Sequence, residues 1–189
     1  GVMGLYDGVT ARGEEGSRAE IAKWLKAPVV LVADASGMAR TIAAVARGFD
    51  TFDPELRLAG VICNRIGSRA HLQLLRDAVD VPRVIGGMPK NMAATFPERH
   101  LGLLTADEDA VPEAKLQSWG EIVRDWCDVD SMVSIAQQAP PLSESFHGQA
   151  LPTTARCKIG VAFDEAFHFY YEDNLRRLED AGAELIRFS

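Results

Sequence analysis

The chain has 189 residues, 47% of them hydrophobic, with a formal net charge of −7 from 20 basic and 27 acidic side chains. That length suits one domain, or one domain and part of another, and the apolar share is enough for a core. The acidic balance argues against a nucleic-acid surface, and no apolar run approaches the ~20 residues a spanning helix needs, so a cytoplasmic protein without a membrane partner is expected.

In chain order, residues 1–8 read GVMGLYDG, a glycine-rich loop through which backbone can approach a ligand closely. Tyr6 and Asp7 stand there as contacts for a substrate or a phosphate-bound metal, and an ordinary turn explains the same residues. Ser17-Arg18-Ala19-Glu20 has the form of a capping box and opens a short helix with Ile21, Trp24 and Leu25 facing inward. Pro28 ends it.

Residues 27–68 organise the rest. An apolar run at 29–33 ends in Asp34, and Met38, Ile42, Val45, Ala46 and Phe49 then recur on one helical face, with Ser36 placed to cap that helix. Residues 50–57 are polar, contain Pro54 and are expected to form a loop. A second apolar run at 58–63 ends in Asn64-Arg65-Ile66-Gly67-Ser68. Short β-branched runs separated by a helix-period segment predict strand–helix–strand with parallel strands buried on both faces. In such sheets ligands sit beyond the carboxyl ends of the strands, where Asp34–Ser36 and 64–67 stand. The Asn64 side chain offers an acceptor and a donor that match adenine N6 and N7. Asn is also common in turns for conformational reasons alone, and from the residues that is the stronger explanation.

Ser68 caps a further helix with Leu72, Leu75 and Val79 inward and His71 in solvent. A strand is expected at 83–87, after which Gly87-Met88-Pro89 turns the chain off the sheet. Residues 97–103 mix charge with leucine in a long loop of the kind that carries function. Pro112 starts a helix whose stripe is Leu116, Trp119, Ile122, Val123 and Trp126, and a short helix follows at 129–136. Residues 137–155 are proline-rich without periodicity, a linker. Beyond it, a strand at 157–163, a helix at 170–183 and a strand at 184–188 form one βαβ unit, which cannot bury its own faces. Cys63, Cys127 and Cys157 are odd in number, contain no C-x-x-C pair and point to a reducing compartment. Gly1 is not a translation start, so the chain is expected to begin mid-gene or to be trimmed.

Five blocks, GVMGLYDG, APVVLVADASGMARTIAA, GVICNRIGS, PERHLGLLTA and DEAFHFYYEDN, occur in an order that resembles the cobyrinic acid a,c-diamide synthase family, and the similarity spans essentially the whole chain. The resemblance implies an α/β fold: a parallel-sheet, P-loop NTPase-like domain similar to dethiobiotin synthetase, followed by the start of a class I glutamine amidotransferase-like domain. Residues 1–136 would be the C-terminal portion of the synthetase domain, 137–155 the linker and 156–189 the beginning of the amidotransferase part. It implies ATP- and glutamine-dependent amidation of the a and c carboxylates of a corrinoid through an acyl phosphate, with ATP and Mg2+ as cofactors and a homodimer by analogy. It places Asn64, Arg65 and Pro89 at the adenine, and Gly4, Tyr6, Asp7 and Gly8 on the phosphate and substrate side.

No G-x-x-x-x-G-K-[ST] phosphate loop is present, and none of the cysteines has the glycine-rich elbow of a glutaminase nucleophile. His168 matches no triad position. No catalytic residue and no metal ligand is therefore assigned, and the chain alone is expected to be an inactive fragment. A relative acting on nickel-sirohydrochlorin and a regulatory or partitioning ATPase of the same superfold are the competing functions; the block DEAFHFYYEDN speaks against the latter.

Overall fold

In a computed structural model, residues 3–91, 111–142, 157–164, 166–167 and 169–189 are described. The loop expected at 97–103, His168 and residues 143–155 of the expected linker lie outside them. The chain divides into two compact units, Gly1–Pro141 and Leu142–Ser189.

In the first unit β1 (Val29–Asp34), β2 (Leu58–Ile66) and β3 (Val84–Pro89) form a parallel sheet in the order β1-β2-β3. The central strand buries Val61, Cys63 and Ile66 completely. On β1, an edge strand, Val32 is 60% exposed. The apolar run is thus as long as expected, but it is not buried on both faces: among the described residues the face that carries Val32 is left largely uncovered.

Helices α2 (Thr41–Phe52) and α3 (Arg69–Ala78) each connect one strand to the next, and Ile42, Ala46, Leu72, Leu75 and Val79 join the strand residues in one core cluster. This is the face that the helical spacing predicts. Ser68 caps α3 as expected, its hydroxyl accepting from the backbone N–H of His71. Helix α4 (Glu113–Trp126) brings Trp126 against the same cluster, and Pro112 stands one residue before the helix, at its cap. Helix α5 (Val129–Gln137) follows, capped by Asp128, which accepts from Ser131 N–H. Just past α4, Asp128 N–H donates to the Ile85 carbonyl of β3 at 2.7 Å.

Four further expectations are corrected by the helices and by β3. Helix α1 (Arg18–Trp24) has its cap, Ser17 accepting from Glu20 N–H, but buries only Ala19; Trp24 is 72% exposed and Ile21 and Leu25 are exposed as well. Spacing placed these apolar residues on one face, yet nothing among the described residues covers that face. Ser36 does not cap α2, which starts at Thr41; the Ser36 backbone N–H and hydroxyl both donate to Asp34 Oδ1 instead, closing an Asx-type turn. At its other end α2 runs on to Phe52, shortening the expected loop. β3 continues through Pro89, paired with Ile66, because Pro lacks only a donor and here stands at the last residue of the strand.

In the second unit β4 (Cys157–Ala162) and β5 (Ala183–Phe188) pair in parallel around α6 (Glu172–Asp180), the predicted βαβ arrangement. Val161 and Leu175 are buried, whereas Phe163, Ile186 and Phe188 stay exposed, as one strand–helix–strand layer requires.

Candidate functional site

The carboxyl ends of the three strands of the first unit lie side by side. Asp34 pairs with Asn64 across β1 and β2, and Ile66 pairs with Pro89 across β2 and β3. The ladder extends past the strands: Ala35 N–H donates to the Asn64 carbonyl at 2.9 Å and Lys90 N–H to the Ile66 carbonyl at 3.0 Å. Asn64, Arg65 and Pro89 thus share one sheet edge, the edge where open α/β sheets take ligands.

Asn64 is half-buried, and its Oδ1 accepts from the backbone N–H of Arg65 at 2.9 Å. An amide oxygen has a second lone pair, and the NH2 makes no hydrogen bond among the described residues, so an acceptor and a donor remain to present outward. Arg65 adopts a left-handed backbone, φ 58°, which swings its side chain back over β1. There its Nη1 lies 3.3 Å from Asp34 Oδ2. Asp34 is held below the ordinary carboxylate range, first by the Ser36 hydroxyl, then by the Ser36 N–H and Arg65. An exposed pair of this kind adds little stability. It does bring the guanidinium across the ends of two strands.

The loops after β1 and β2 meet at His71, on the first turn of α3. Gly67 N–H donates to His71 Nδ1 at 3.1 Å, and Nε2 lies 2.7 Å from the Met38 carbonyl. The ring is half-buried, not solvated as its position on the helix suggested. The sequence signal was present in part: a His three residues after a capping Ser can reach back to the loop that precedes the helix.

The glycine-rich loop lies elsewhere. Tyr6 O–H donates to the Phe49 carbonyl at 2.6 Å, and its ring packs on Phe49 and Phe52. These residues end α2, which leads directly into the start of β2, so Tyr6 sits at the amino end of the sheet, opposite Asn64. Asp7 Oδ2 accepts from Gly4 N–H at 2.6 Å, closing a turn. A methyl group on Gly8 would lie 2.6 Å from the Glu15 carbonyl oxygen and 2.7 Å from that of Gly13, so the close approach here is between two stretches of backbone. Nearby, the Lys23 ammonium joins Glu14, Asp53 and Glu55. Gly4, Tyr6, Asp7 and Gly8 are therefore brought together with one another and not with Asn64, Arg65 and Pro89.

Cys63 is fully buried and burial pushes its thiol up to about 11; Cys127 is shifted the same way by burial. Neither is an activated thiolate. Among the described residues no group of three His, Cys, Asp or Glu side chains is arranged to hold a metal ion, and no helix is long and apolar enough to cross a membrane.

No family model and no solved structure matches the chain. Curated proteins do. The whole chain is 51% identical to the cobyrinate a,c-diamide synthase of Leptospira interrogans serogroup Icterohaemorrhagiae, of which it covers 41%. It is 46% identical to that of Syntrophotalea carbinolica and 42% identical to that of Listeria innocua, again over the whole chain and over 42% of each relative. The chain thus spans about two fifths of the length of these relatives. Matched from end to end at this level, it is homologous to a segment of the cobyrinate a,c-diamide synthases, the family its motifs resemble.

Proposed function

We propose that the chain is part of a carbon–nitrogen ligase that amidates the a and c carboxylates of cobyrinic or hydrogenobyrinic acid, with ATP and glutamine, in cobalamin biosynthesis. The observation that carries this is the end-to-end identity with synthases of that name. The parallel sheet of the first unit agrees with a P-loop NTPase-like domain, and the βαβ unit of the second is read as the start of a class I glutamine amidotransferase-like domain. A cytoplasmic homodimer belongs to the same reading.

The chemistry follows from the substrate. A carboxylate is a poor electrophile until one oxygen becomes part of a leaving group. Attack of that oxygen on the terminal phosphorus of ATP releases ADP and gives an acyl phosphate. Ammonia from glutamine then adds to the acyl carbon, loses a proton, and phosphate leaves with the C–O electron pair. In this scheme Asn64, Arg65 and Pro89 hold the adenine end: the Asn64 amide is half-buried, ordered by Arg65 N–H and still has an oxygen lone pair and an NH2 to offer. Magnesium would neutralise phosphoryl charge. The described residues do not form a ligand set for it, since both Asp34 oxygens are engaged by Ser36 and Arg65, and no step is assigned to it here. The loop holding Gly4, Tyr6, Asp7 and Gly8 is read as the substrate side, a role resting on the family motif and not on proximity to Asn64.

The test is direct. Full-length protein is incubated with ATP, magnesium, glutamine and cobyrinic acid, and the product mass is followed. Two successive replacements of OH by NH2, dependent on ATP, are expected. Amidation of nickel-sirohydrochlorin with none of cobyrinic acid, or ATP hydrolysis with no amide product, would overturn the assignment.

A further inference from the structure

We propose that His71 is the positioning residue of the nucleotide edge: its imidazole ties the loop after β1 to the loop after β2 and thereby sets where Asn64 and Arg65 are presented. The inference rests on the reading of that edge as an adenine site.

The ring contacts allow one protonation pattern. Met38 contributes a carbonyl, which only accepts, so the nitrogen 2.7 Å away, Nε2, carries the hydrogen. Gly67 contributes an N–H, which only donates, so Nδ1 is bare. The neutral Nε2–H tautomer satisfies both loops at once, and no other form does. The base of the ring is equally fixed. His71 N–H donates to the capping Ser68 hydroxyl, and the next residue, Leu72, is sunk in the core. The hydrophobic core therefore holds α3, α3 holds the ring, and the ring holds Gly67 on one side and Met38 on the other.

Besides the imidazole, the Ala35 N–H bond to the Asn64 carbonyl, 2.9 Å long, crosses between the two segments. The Asp34–Arg65 pair does so, but both side chains are more than half exposed, and such pairs are loosely held. Of the two imidazole bonds, the one to Met38 is part-buried and the one to Gly67 is exposed. Gly67 lies two residues beyond Arg65, whose left-handed backbone leaves it sensitive to slack in the turn. Releasing Gly67 would loosen the residue just past the end of β2, next to Arg65; releasing Met38 would loosen the loop after β1.

The variants separate the two bonds. His71→Asn keeps an oxygen close to Nδ1 for Gly67; His71→Gln carries an NH2 toward Met38; His71→Ala keeps neither. In full-length protein, His71→Ala is expected to raise the KM for ATP about tenfold, the scale of losing one part-buried and one exposed hydrogen bond, with the KM for glutamine unchanged. His71→Asn is expected to recover most of the loss. Nitrogen-15 spectra of the neutral wild-type imidazole should show a bare Nδ1 and a protonated Nε2. If His71→Ala fails to fold, the comparison of His71→Asn with His71→Gln and the imidazole spectrum carry the decision. An ATP KM unchanged in all three variants, or a ring protonated at Nδ1, overturns the positioning role while leaving the adenine site standing. A wild type with no affinity for adenine nucleotides overturns the site and the role of His71 with it.

Discussion

Gly86 lies directly against Cys127: a methyl group on Gly86 would come within 2.6 Å of Cys127 Sγ and 3.1 Å of its Cα. The two residues form an antiparallel bridge that fastens the end of α4 to β3. Since backbone as well as sulfur is in the way, trimming the cysteine would not make room. Gly86→Ala is expected to destabilise the fold by about 1–3 kcal/mol, the range for overpacking a close-packed site. Urea unfolding of wild type and variant measures it, and an unchanged midpoint would show that α4 is free to shift.

For Asn64 the outward contact can be separated from the inward one. Asn64→Asp keeps an oxygen for Arg65 N–H and loses the NH2; Asn64→Ala loses both. In full-length protein both substitutions are expected to weaken ATP binding by about 1–3 kcal/mol, as for a bidentate contact to adenine, with glutamine hydrolysis little affected. Weakening by alanine alone would assign Asn64 to the turn and not to the base.

Cys63 predicts an alkaline limit. In the folded chain its thiol keeps its proton up to about 11, against an ordinary 9.0. Between those values the unfolded chain has given up that proton and the folded chain has not, so unfolding releases it and rising pH favours unfolding. Stability should therefore fall across this window, and less steeply in Cys63→Ala. Parallel slopes for the two proteins would show that the thiol is not what titrates. Alkylation at neutral pH should reach the exposed Cys157 well before Cys63.

The Tyr6 hydroxyl can be tested without disturbing its ring. Tyr6→Phe leaves the packing on Phe49 and Phe52 and removes only the bond to the Phe49 carbonyl. A loss of about 0.5–1.5 kcal/mol is expected. Retained KM values for all substrates in full-length protein would confine Tyr6 to this structural bond; a raised KM for the corrinoid would support the substrate-side role of the loop.

What was legible in the sequence was what local spacing controls. Leu72, Leu75 and Val79 recur at helical intervals behind a capping Ser68, and all end in the core. Val61 and Cys63 sit in a continuous apolar run and fill the central strand. Trp24 obeys the same periodicity, yet exposure depends on what lies opposite, which no spacing encodes. Ser36 has two uses for one hydroxyl, and the neighbouring Asp34 outcompetes the helix for it. The contact between His71 and Met38 joins segments 33 residues apart, so it appears only once both strands are laid side by side.

Arg65, with φ at 58°, also constrains what variation this turn can accept. Valine, isoleucine and proline are excluded by backbone sterics before any question of charge arises, whereas glycine and asparagine adopt the conformation readily. The position therefore carries two separable kinds of information, a shape that many long or small residues can meet and a cation that only two can. A homologue with glycine here would keep the turn and lose the bridge to Asp34, and its activity would report on the guanidinium alone.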